Sequence, residues 1–178
     1  MRLPSLRRQK RTDMAKEIER KFLVDHKKLP LLAGYPNCIR QYYLSHPGSF
    51  PVVRVRIIQN EMSDQPFCRM TMKGDGDLVR DEIEFDIPYS KAEDIVQLWG
   101  GLMVQKKRYN ITYPNVLLGK PYKIWEIDVF EGDLAGLCLA EIELSSVDDE
   151  FEIPEWCVEE LTGRPGWSNY ELAMNGIP

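Results

Sequence analysis

The sequence is poor in the residues that build the commonest metal and redox sites. Among 178 residues there are four cysteines and two histidines, and no two cysteines form a Cys-x-x-Cys pair. This scarcity argues against structural zinc, against a disulfide framework and against histidine-dependent catalysis. Any metal that the protein binds must therefore be held by oxygen ligands.

Long apolar runs are missing as well. No stretch approaches the roughly eighteen apolar residues that a membrane-spanning helix needs, and no apolar segment follows the basic N-terminus as it would in a signal peptide. We therefore expect a cytoplasmic protein that has no membrane partner.

Charge is unevenly distributed along the chain. Residues 1–13 hold five basic side chains and one acid, although the whole chain has a net charge of -5. Because this arm has no hydrophobic periodicity, the sequence predicts that it is disordered. The remainder, 14–178, has the size of one domain, and its acidity predicts that the protein does not bind nucleic acid.

The stretch 15–24 organises the rest of the chain. Apolar side chains occupy one parity, while Glu17, Glu19 and Lys21 occupy the other, and this period of two predicts a strand. Residues two apart in a strand lie about 6.5–7 Å from each other. Two carboxylates and an ammonium on one face suit a divalent cation beside an anion, but a solvated face of a single strand has the same pattern.

Seven further segments have the same alternation. Together with the first they predict eight strands, at 15–24, 39–44, 52–59, 67–73, 79–87, 104–112, 122–130 and 137–144. Three helices are predicted besides, the first beginning at an N-cap Ser90 with Glu93 three residues later and ending at Trp99. The others span 154–161 and 168–174.

The strands repeat charged pairs of one sign. The pairs are Glu17/Glu19, Arg54/Arg56, Glu82/Glu84, Lys106/Arg108, Glu126/Asp128 and Glu141/Glu143. Like charges at neighbouring positions of one face repel, so six such pairs need a common reason. If eight antiparallel strands close into a barrel with this parity inward, the lumen needs a charged ligand of both signs. A polyphosphate with divalent cations meets that need, since the basic side chains bind phosphate and the acids bind metal.

These segments contain motifs in a specific order. They are Glu17-x-Glu19-x-Lys21, Gln41-x-Tyr43-Leu44, Arg54-x-Arg56, Thr71-x-Lys73-Gly74, Glu82-x-Glu84, Lys106-x-Arg108-Tyr109, Glu126-x-Asp128 and Glu141-x-Glu143. The chain from Met14 onward resembles the CYTH superfamily of triphosphate tunnel metalloenzymes, and in particular its short bacterial inorganic triphosphatases. The resemblance implies a mainly β fold, an eight-stranded antiparallel closed tunnel with a charged lumen and a few helices outside.

The resemblance also implies a role for each motif residue. Mg²⁺ or Mn²⁺ would be held by Glu17, Glu19 and Glu143. The triphosphate would be bound by Lys21, Arg54, Arg56, Lys73, Lys106 and Arg108. The supporting acids would be Glu82, Glu84, Glu126, Asp128 and Glu141. Lys21 and Tyr43 match a lysine–tyrosine pair proposed to assist catalysis in relatives. The reaction implied is hydrolysis of tripolyphosphate to pyrophosphate and phosphate.

Other functions stay open at this point. Class IV adenylate cyclases and thiamine triphosphatases share the superfamily, and a non-catalytic polyphosphate-binding module would use the same cations. The small anionic substrate is the one partner expected, and a homodimer is neither required nor excluded by the sequence.

The scarcity of histidine bears on the attacking water. Two routes remain for its activation: a metal that lowers its pKa, or the pair Lys21 and Tyr43, whose ordinary pKa values are both about 10. Either route is favoured when protons are removed, so the sequence predicts activity that rises above pH 7.

Overall fold

The fold is described from a computed structural model, which describes residues 15–30, 32, 34–46, 48–76, 78–99, 101–115 and 119–178. Within these residues there are nine strands, two α-helices and one short 3-10 helix, Gly132–Leu134. The strands are β1 (Ala15–Val24), β2 (Asn37–Tyr43), β3 (Val52–Asn60), β4 (Phe67–Lys73), β5 (Val79–Asp86), β6 (Leu102–Asn115), β7 (Lys120–Glu131), β8 (Cys138–Glu143) and β9 (Cys157–Glu160). The helices are α1 (Tyr89–Trp99) and α2 (Asn169–Asn175).

The first eight strands close into an antiparallel barrel. Neighbours follow the order β5, β4, β3, β2, β6, β7, β8, β1, and β1 pairs again with β5. The first part of β1 closes the barrel, because residues 15–18 pair with β5 while 19–23 pair with β8. The predicted eight-stranded closed barrel is therefore confirmed.

Side-chain parity explains why these segments form this barrel. In the eight barrel strands the motif residues face the lumen and the other parity faces outward. Much of that outer face is covered by other parts of the chain, although Ile83 and Phe85 of β5 remain 46% and 43% exposed. Around Trp125 the outer face is packed by Phe22 and Trp156, with ring centroids 5.5 and 5.3 Å away. On the opposite wall, α1 covers Val55 and Ile57 of β3.

One end of the lumen is filled with apolar side chains. Tyr43, Phe130 and Leu139 continue the inward parity of their strands, and Leu161 and Leu172 from the C-terminal segment pack against them. Helix α2 begins at a capping box, in which Ser168 Oγ accepts from Glu171 N and the Glu171 carboxylate accepts from Ser168 N. The C-terminal segment thus closes this end and leaves the charged part of the lumen beside it.

The predicted helix at 154–161 is wrong, because Cys157–Glu160 forms β9. The pairing between β1 and β5 ends at Ile18 of β1. Further along the same edge of β1, residues 22–24 pair with β9 instead. Leu161 N donates to Lys21 O at 2.8 Å. The unpaired edge of β1 supplies backbone partners that outweigh the helical pattern of this short segment.

The predicted N-cap at Ser90 is also wrong, although the helix exists and ends at Trp99 as expected. Helix α1 begins at Tyr89, and the carbonyl of Pro88 accepts from Ala92 N at 3.1 Å. Pro88 therefore occupies the cap position, since a proline lacks a donor but still provides a carbonyl. Ser90 lies inside the first turn.

The predicted basic arm, 1–13, lies outside the described residues. In the described part of the chain, neither helix has the length and apolar character needed to cross a membrane.

Candidate active site

The charged part of the lumen forms a cavity of about 580 Å³. Strand side chains line most of its wall, and the rest is lined by the segment 161–171, by Met174 and by the loops that contain Phe50 and Asp75. The charged strand residues that face it are Glu17, Glu19, Lys21, Arg54, Arg56, Arg69, Lys73, Arg80, Glu82, Glu84, Arg108, Glu126, Glu141 and Glu143. The structure thus brings together nearly all of the predicted site residues, except Lys106 and Asp128, which lie behind the wall.

Glu17 and Glu19 are held by two basic side chains. Lys73 Nζ lies 2.6 Å from Glu17 Oε1, while Arg80 donates from Nε to Glu17 Oε2 at 2.6 Å and from Nη2 to Glu19 Oε1 at 2.7 Å. Burial raises the pKa of Glu17, but the charges of Lys73 and Arg80 outweigh burial and lower it to about 2. Glu17 is therefore ionised at neutral pH.

Glu143 stands opposite Glu19 across β1 and β8. Among the described residues no hydrogen bond or ion pair reaches its carboxylate. Burial raises the pKa of Glu143, and the negative charges of Glu17 and Glu19 raise it further. Among the described strand acids that line the cavity, Glu143 is the one without an ion pair.

The acids Glu17, Glu19 and Glu143 are suited in kind to a hard divalent cation. All three donors are carboxylate oxygens, and the repulsion at Glu143 is of the kind that a cation relieves. Within the described residues, however, no three acidic, histidine or cysteine side chains converge on one point. A metal would require the side chains of Glu17 and Glu19 to turn away from their present basic partners.

Arg108 is the most completely neutralised cation of the lumen. Its guanidinium bonds Asp128 at 2.6 Å, Glu141 at 2.7 Å and also Glu126. Burial lowers the pKa of Arg108, but these carboxylates outweigh burial and raise it. The same contacts lower the pKa of Asp128 against the effect of burial. Glu126 differs, because burial raises its pKa and the charge of Arg108 only partly offsets this.

Lys106 is fully buried and does not line the cavity. Its ammonium bonds Asp128 and lies 3.4 Å from Asn169 Oδ1 of α2. Burial lowers the pKa of Lys106 to about 8 despite the charge of Asp128. Lys106 therefore connects the carboxylate that orients Arg108 to the helix that closes the lumen, and its direct contact with a triphosphate stays a prediction.

Arg56 has the opposite environment to Arg108. Its Nε donates to Gln41 Oε1 at 3.0 Å, and in the described part of the chain no carboxylate lies within ion-pair distance of it. Burial, together with the charges of Arg54 and Arg108, lowers the pKa of Arg56 to about 10. Arg56 is thus a largely buried cation without an anion.

Arg54 and the acids of β5 form a looser group. Arg54 Nη2 lies 3.4 Å from Glu84 Oε1 and 3.7 Å from Glu82 Oε1. Thr71 Oγ1 donates to Glu84 at 2.8 Å. Arg54 Nε and Glu82 Oε1 are buried and have no hydrogen-bond partner among the described residues. Burial raises the pKa of Glu82, against the charge of Lys73.

Lys21 and Tyr43 both line the cavity but have different partners. Lys21 Nζ lies 3.0 Å from Glu141 Oε1, whereas Tyr43 Oη accepts from the Gln41 amide. No hydrogen bond joins the two side chains in the described structure. Burial lowers the pKa of Lys21, but Glu141 and Glu19 outweigh it and the pKa is raised. Burial also raises the pKa of Tyr43, so both groups keep their protons at neutral pH.

The residues predicted for the site did not include Arg80, Gln41 and Thr162. Arg80 shares the parity of Glu82 and Glu84, which was a sufficient signal to include it. Gln41 appeared in a motif, but its bridge between Arg56 and Tyr43 depends on the fold. Nothing in the local pattern around Thr162, whose hydroxyl accepts from Lys21 N at 3.0 Å, pointed to the lumen.

Comparison with known proteins adds to this geometry. Residues 15–166 match the model of the CYTH domain family. The inorganic triphosphatase of Acetivibrio thermocellus is 33% identical over 164 residues, which cover 91% of this chain and 96% of the relative. The inorganic triphosphatase of Nitrosomonas europaea is 34% identical over 161 residues, covering 89% and 97%. The crystal structure of the inorganic triphosphatase NE1496 superposes with a TM-score of 0.60 at 31% identity, covering 91% of this chain and 100% of that one. The chain belongs to the CYTH domain family.

Proposed function

We propose that the protein is a hydrolase that cleaves inorganic triphosphate to pyrophosphate and phosphate, with Mg²⁺ or Mn²⁺ as cofactor. The observation that carries this proposal concerns two residues of one cavity. Among the described residues, Arg56 has no acid within ion-pair distance and Glu143 has no basic side chain within ion-pair distance. A metal–polyphosphate complex supplies the missing charge at both positions. The names of the two curated relatives support the same activity.

Arg54, Arg56 and Lys73 form the phosphate-binding side of the proposed site. They come from the adjacent strands β3 and β4, so their positions are fixed by a continuous ladder. Arg56 needs to give up only an amide contact in order to bind a phosphate oxygen. Guanidinium groups bind phosphate through charge-assisted hydrogen bonds, which makes these positions suited to an extended polyphosphate.

Glu17, Glu19 and Glu143 would hold the divalent cation. When bound, the cation supplies positive charge to the phosphate oxygens and lowers the pKa of the attacking water. Lys21 keeps its proton beside Glu141 and Glu19, so its contribution is positive charge rather than proton acceptance. Tyr43 accepts a hydrogen bond from Gln41 and can therefore donate its own proton into the cavity.

The test is phosphate release from tripolyphosphate, ATP, thiamine triphosphate and pyrophosphate, each with Mg²⁺, with Mn²⁺ and with excess EDTA. We expect rapid hydrolysis of tripolyphosphate that stops in EDTA, and slow or absent hydrolysis of pyrophosphate. Rapid turnover in EDTA would refute the metal requirement. Binding of tripolyphosphate without phosphate release would support the binding module instead.

A second candidate, a tunnel enzyme for an organic triphosphate, has one observation in its favour. Phe50, which is 58% exposed, and Trp167 both line the cavity. Aromatic faces stack on planar organic groups. Faster hydrolysis of ATP or thiamine triphosphate than of tripolyphosphate would favour this candidate, and Phe50→Ala should then slow the organic substrate alone.

A further inference from the structure

Arg80 makes a contact that no other described side chain makes, because it bonds Glu17 and Glu19 together. Its position on β5 is directly opposite Glu17 on β1. The guanidinium reaches Glu17 through Nε at 2.6 Å and Glu19 through Nη2 at 2.7 Å. Its side chain is only 18% exposed, so water competes little for these bonds.

These bonds use the oxygens that a cation at this site would need. Lys73 engages Glu17 Oε1 and Arg80 engages Glu17 Oε2, so both oxygens of Glu17 already have a basic partner. A guanidinium and a divalent cation on the same carboxylate repel each other. Cation binding at Glu17 and Glu19 is therefore opposed by Arg80 directly.

The position of Glu143 fits this competition. Strand β1 has β5 along one edge and β8 along the other, so Arg80 approaches Glu17 and Glu19 from one side while Glu143 lies on the other. Arg80 draws the two carboxylates towards β5 and away from Glu143. This explains why the three acids line one cavity from neighbouring strands and yet no three described acids converge on a point.

We propose that Arg80 is an internal competitor of the divalent cation for Glu17 and Glu19, and that this positioning residue sets the cation affinity of the lumen. The inference rests on the cation site of the proposed function. It further implies that, at low cation concentration, the positive charge of Arg80 offsets the repulsion between the carboxylates of Glu17 and Glu19. On cation binding the guanidinium is released towards the cavity, where the anionic substrate is expected.

The test is a calorimetric titration with Mn²⁺ alone and with Mg²⁺ alone, in the absence of any phosphate compound. Four proteins are compared: the unaltered chain, Arg80→Met, Arg80→Lys and Arg69→Met. Arg69 is the matched control, since it also faces the cavity but pairs with Glu84 at 3.1 Å and Asp86 at 3.0 Å rather than with Glu17 or Glu19. Thermal unfolding in EDTA and in excess Mn²⁺ accompanies each titration.

We expect the apparent Kd of Mn²⁺ to fall at least about tenfold in Arg80→Met, the change that follows when a charge-assisted hydrogen bond no longer competes. Arg80→Lys should be intermediate, because an ammonium lacks the fork that joins two carboxylates. Arg69→Met should keep the affinity of the unaltered chain. In EDTA the melting temperature of Arg80→Met should fall, and Mn²⁺ should restore it.

An unchanged or weaker cation affinity in Arg80→Met, with a loss of stability that Mn²⁺ does not repair, would show a structural role and overturn the inference. If Arg80→Met does not fold in EDTA, the apparent Kd of Mn²⁺ is compared between Arg80→Lys and Arg69→Met, and this comparison decides the same question. Hydrolysis of tripolyphosphate by the unaltered chain is measured separately. An affinity shift without hydrolysis would refute the proposed function alone, and hydrolysis without an affinity shift would refute this inference alone.

Discussion

At the scale of single residues, the charged side chains of the lumen differ in how completely their neighbours neutralise them. Arg108 bonds three carboxylates, Arg56 bonds one amide, and Glu143 has no neutralising contact among the described residues. Side chains of the same type therefore have different physical roles. Residues without a partner are the ones available to a ligand, while fully paired residues hold the lumen together.

This difference predicts opposite effects for two arginines. Arg56→Gln should lower kcat/KM for tripolyphosphate. The activation free energy should rise by about 1.5–3 kcal/mol, the contribution of a hydrogen bond to a charged group. Its stability should change little, because no carboxylate loses a partner. Arg108→Gln leaves Asp128 without its main cation and removes one of the cations of Glu141, and it should cost about 3–5 kcal/mol of stability. Urea unfolding and steady-state kinetics measure the two effects, and equal destabilisation by both substitutions would contradict this assignment.

Glu143→Gln should stabilise the protein in EDTA at neutral pH. The raised pKa of Glu143 means that its ionised form is disfavoured by folding, so the unaltered chain gains stability as pH falls through that raised value. Gln removes this dependence on pH. The gain should stay below about 1 kcal/mol, because solvent screens an exposed group.

The same substitution should abolish the rise in melting temperature that Mg²⁺ causes. Glu61 is an exposed acid outside the cavity, so Glu61→Gln is the control. It should change neither the stability in EDTA nor the rise in melting temperature with Mg²⁺. A Glu143→Gln protein that Mg²⁺ still stabilises fully would place the cation elsewhere.

Tyr43→Phe tests how the attacking water loses its proton. Burial raises the pKa of Tyr43, and Lys21 is held by Glu141 instead of by the tyrosine. Neither group is therefore a proton acceptor near neutrality. We expect activity to rise above pH 7 in both proteins and the shape of the pH profile to be the same. A loss of the alkaline limb in Tyr43→Phe would restore the lysine–tyrosine pair as the base, and an optimum at or below pH 7 would point to an acid such as Glu82.

At the scale of elements, the segments after β8 determine how the lumen ends. Strand β9 pairs with the part of the β1 edge that does not pair with β5. The residues after β9 line the cavity. Helix α2 then brings Tyr170 and Leu172 onto the apolar end of the lumen, where the rings of Tyr170 and Tyr43 lie 5.2 Å apart. The cavity is therefore shaped by elements outside the eight-stranded barrel.

Ser168→Ala should show this dependence. It removes the capping box of α2 and should cost about 1 kcal/mol of stability. Because α2 adjoins the cavity, KM for tripolyphosphate should also rise. Ser90→Ala, in the first turn of α1, is the matched control; it removes no cap and should change stability by less than about 0.5 kcal/mol. Thermal unfolding and kinetics compare the two variants, and equal losses would contradict the role of the cap.

At the scale of the whole molecule, the buried ion network predicts loss of stability in acid. The pKa values of Asp128 and Glu141 are lowered and that of Glu17 is about 2. Groups with lowered pKa values contribute stability that is fully present above the ordinary value of about 4 and is lost as pH falls through the folded value. Urea unfolding in EDTA should therefore show the free energy of unfolding falling between about pH 4 and 2. A free energy that is constant across this range would contradict the ion network.

The sequence by itself predicted the eight strands of the barrel and the residues that share their charged faces. Once the strands close into a barrel, as the resemblance implied, a period of two with charge on one parity makes the lumen charged and the outer face apolar, because each strand has only two faces. That reasoning correctly identified the eight strands of the barrel and the inward position of the motif residues, but it did not identify β9. It also identified the helix after Ser168, whose capping box is a local signal.

Only the tertiary structure decided which charges neutralise each other. Arg80 meets Glu17 because barrel closure places β5 beside β1, and Arg108 meets Glu141 because β7 and β8 follow β6 around the wall. The segment 157–160 became a strand because an edge of β1 was unpaired, a condition set by a strand more than seventy residues away in sequence. Parity is a property of one strand, whereas register and closure depend on all of them, and they decided which charges of the lumen remain for a ligand.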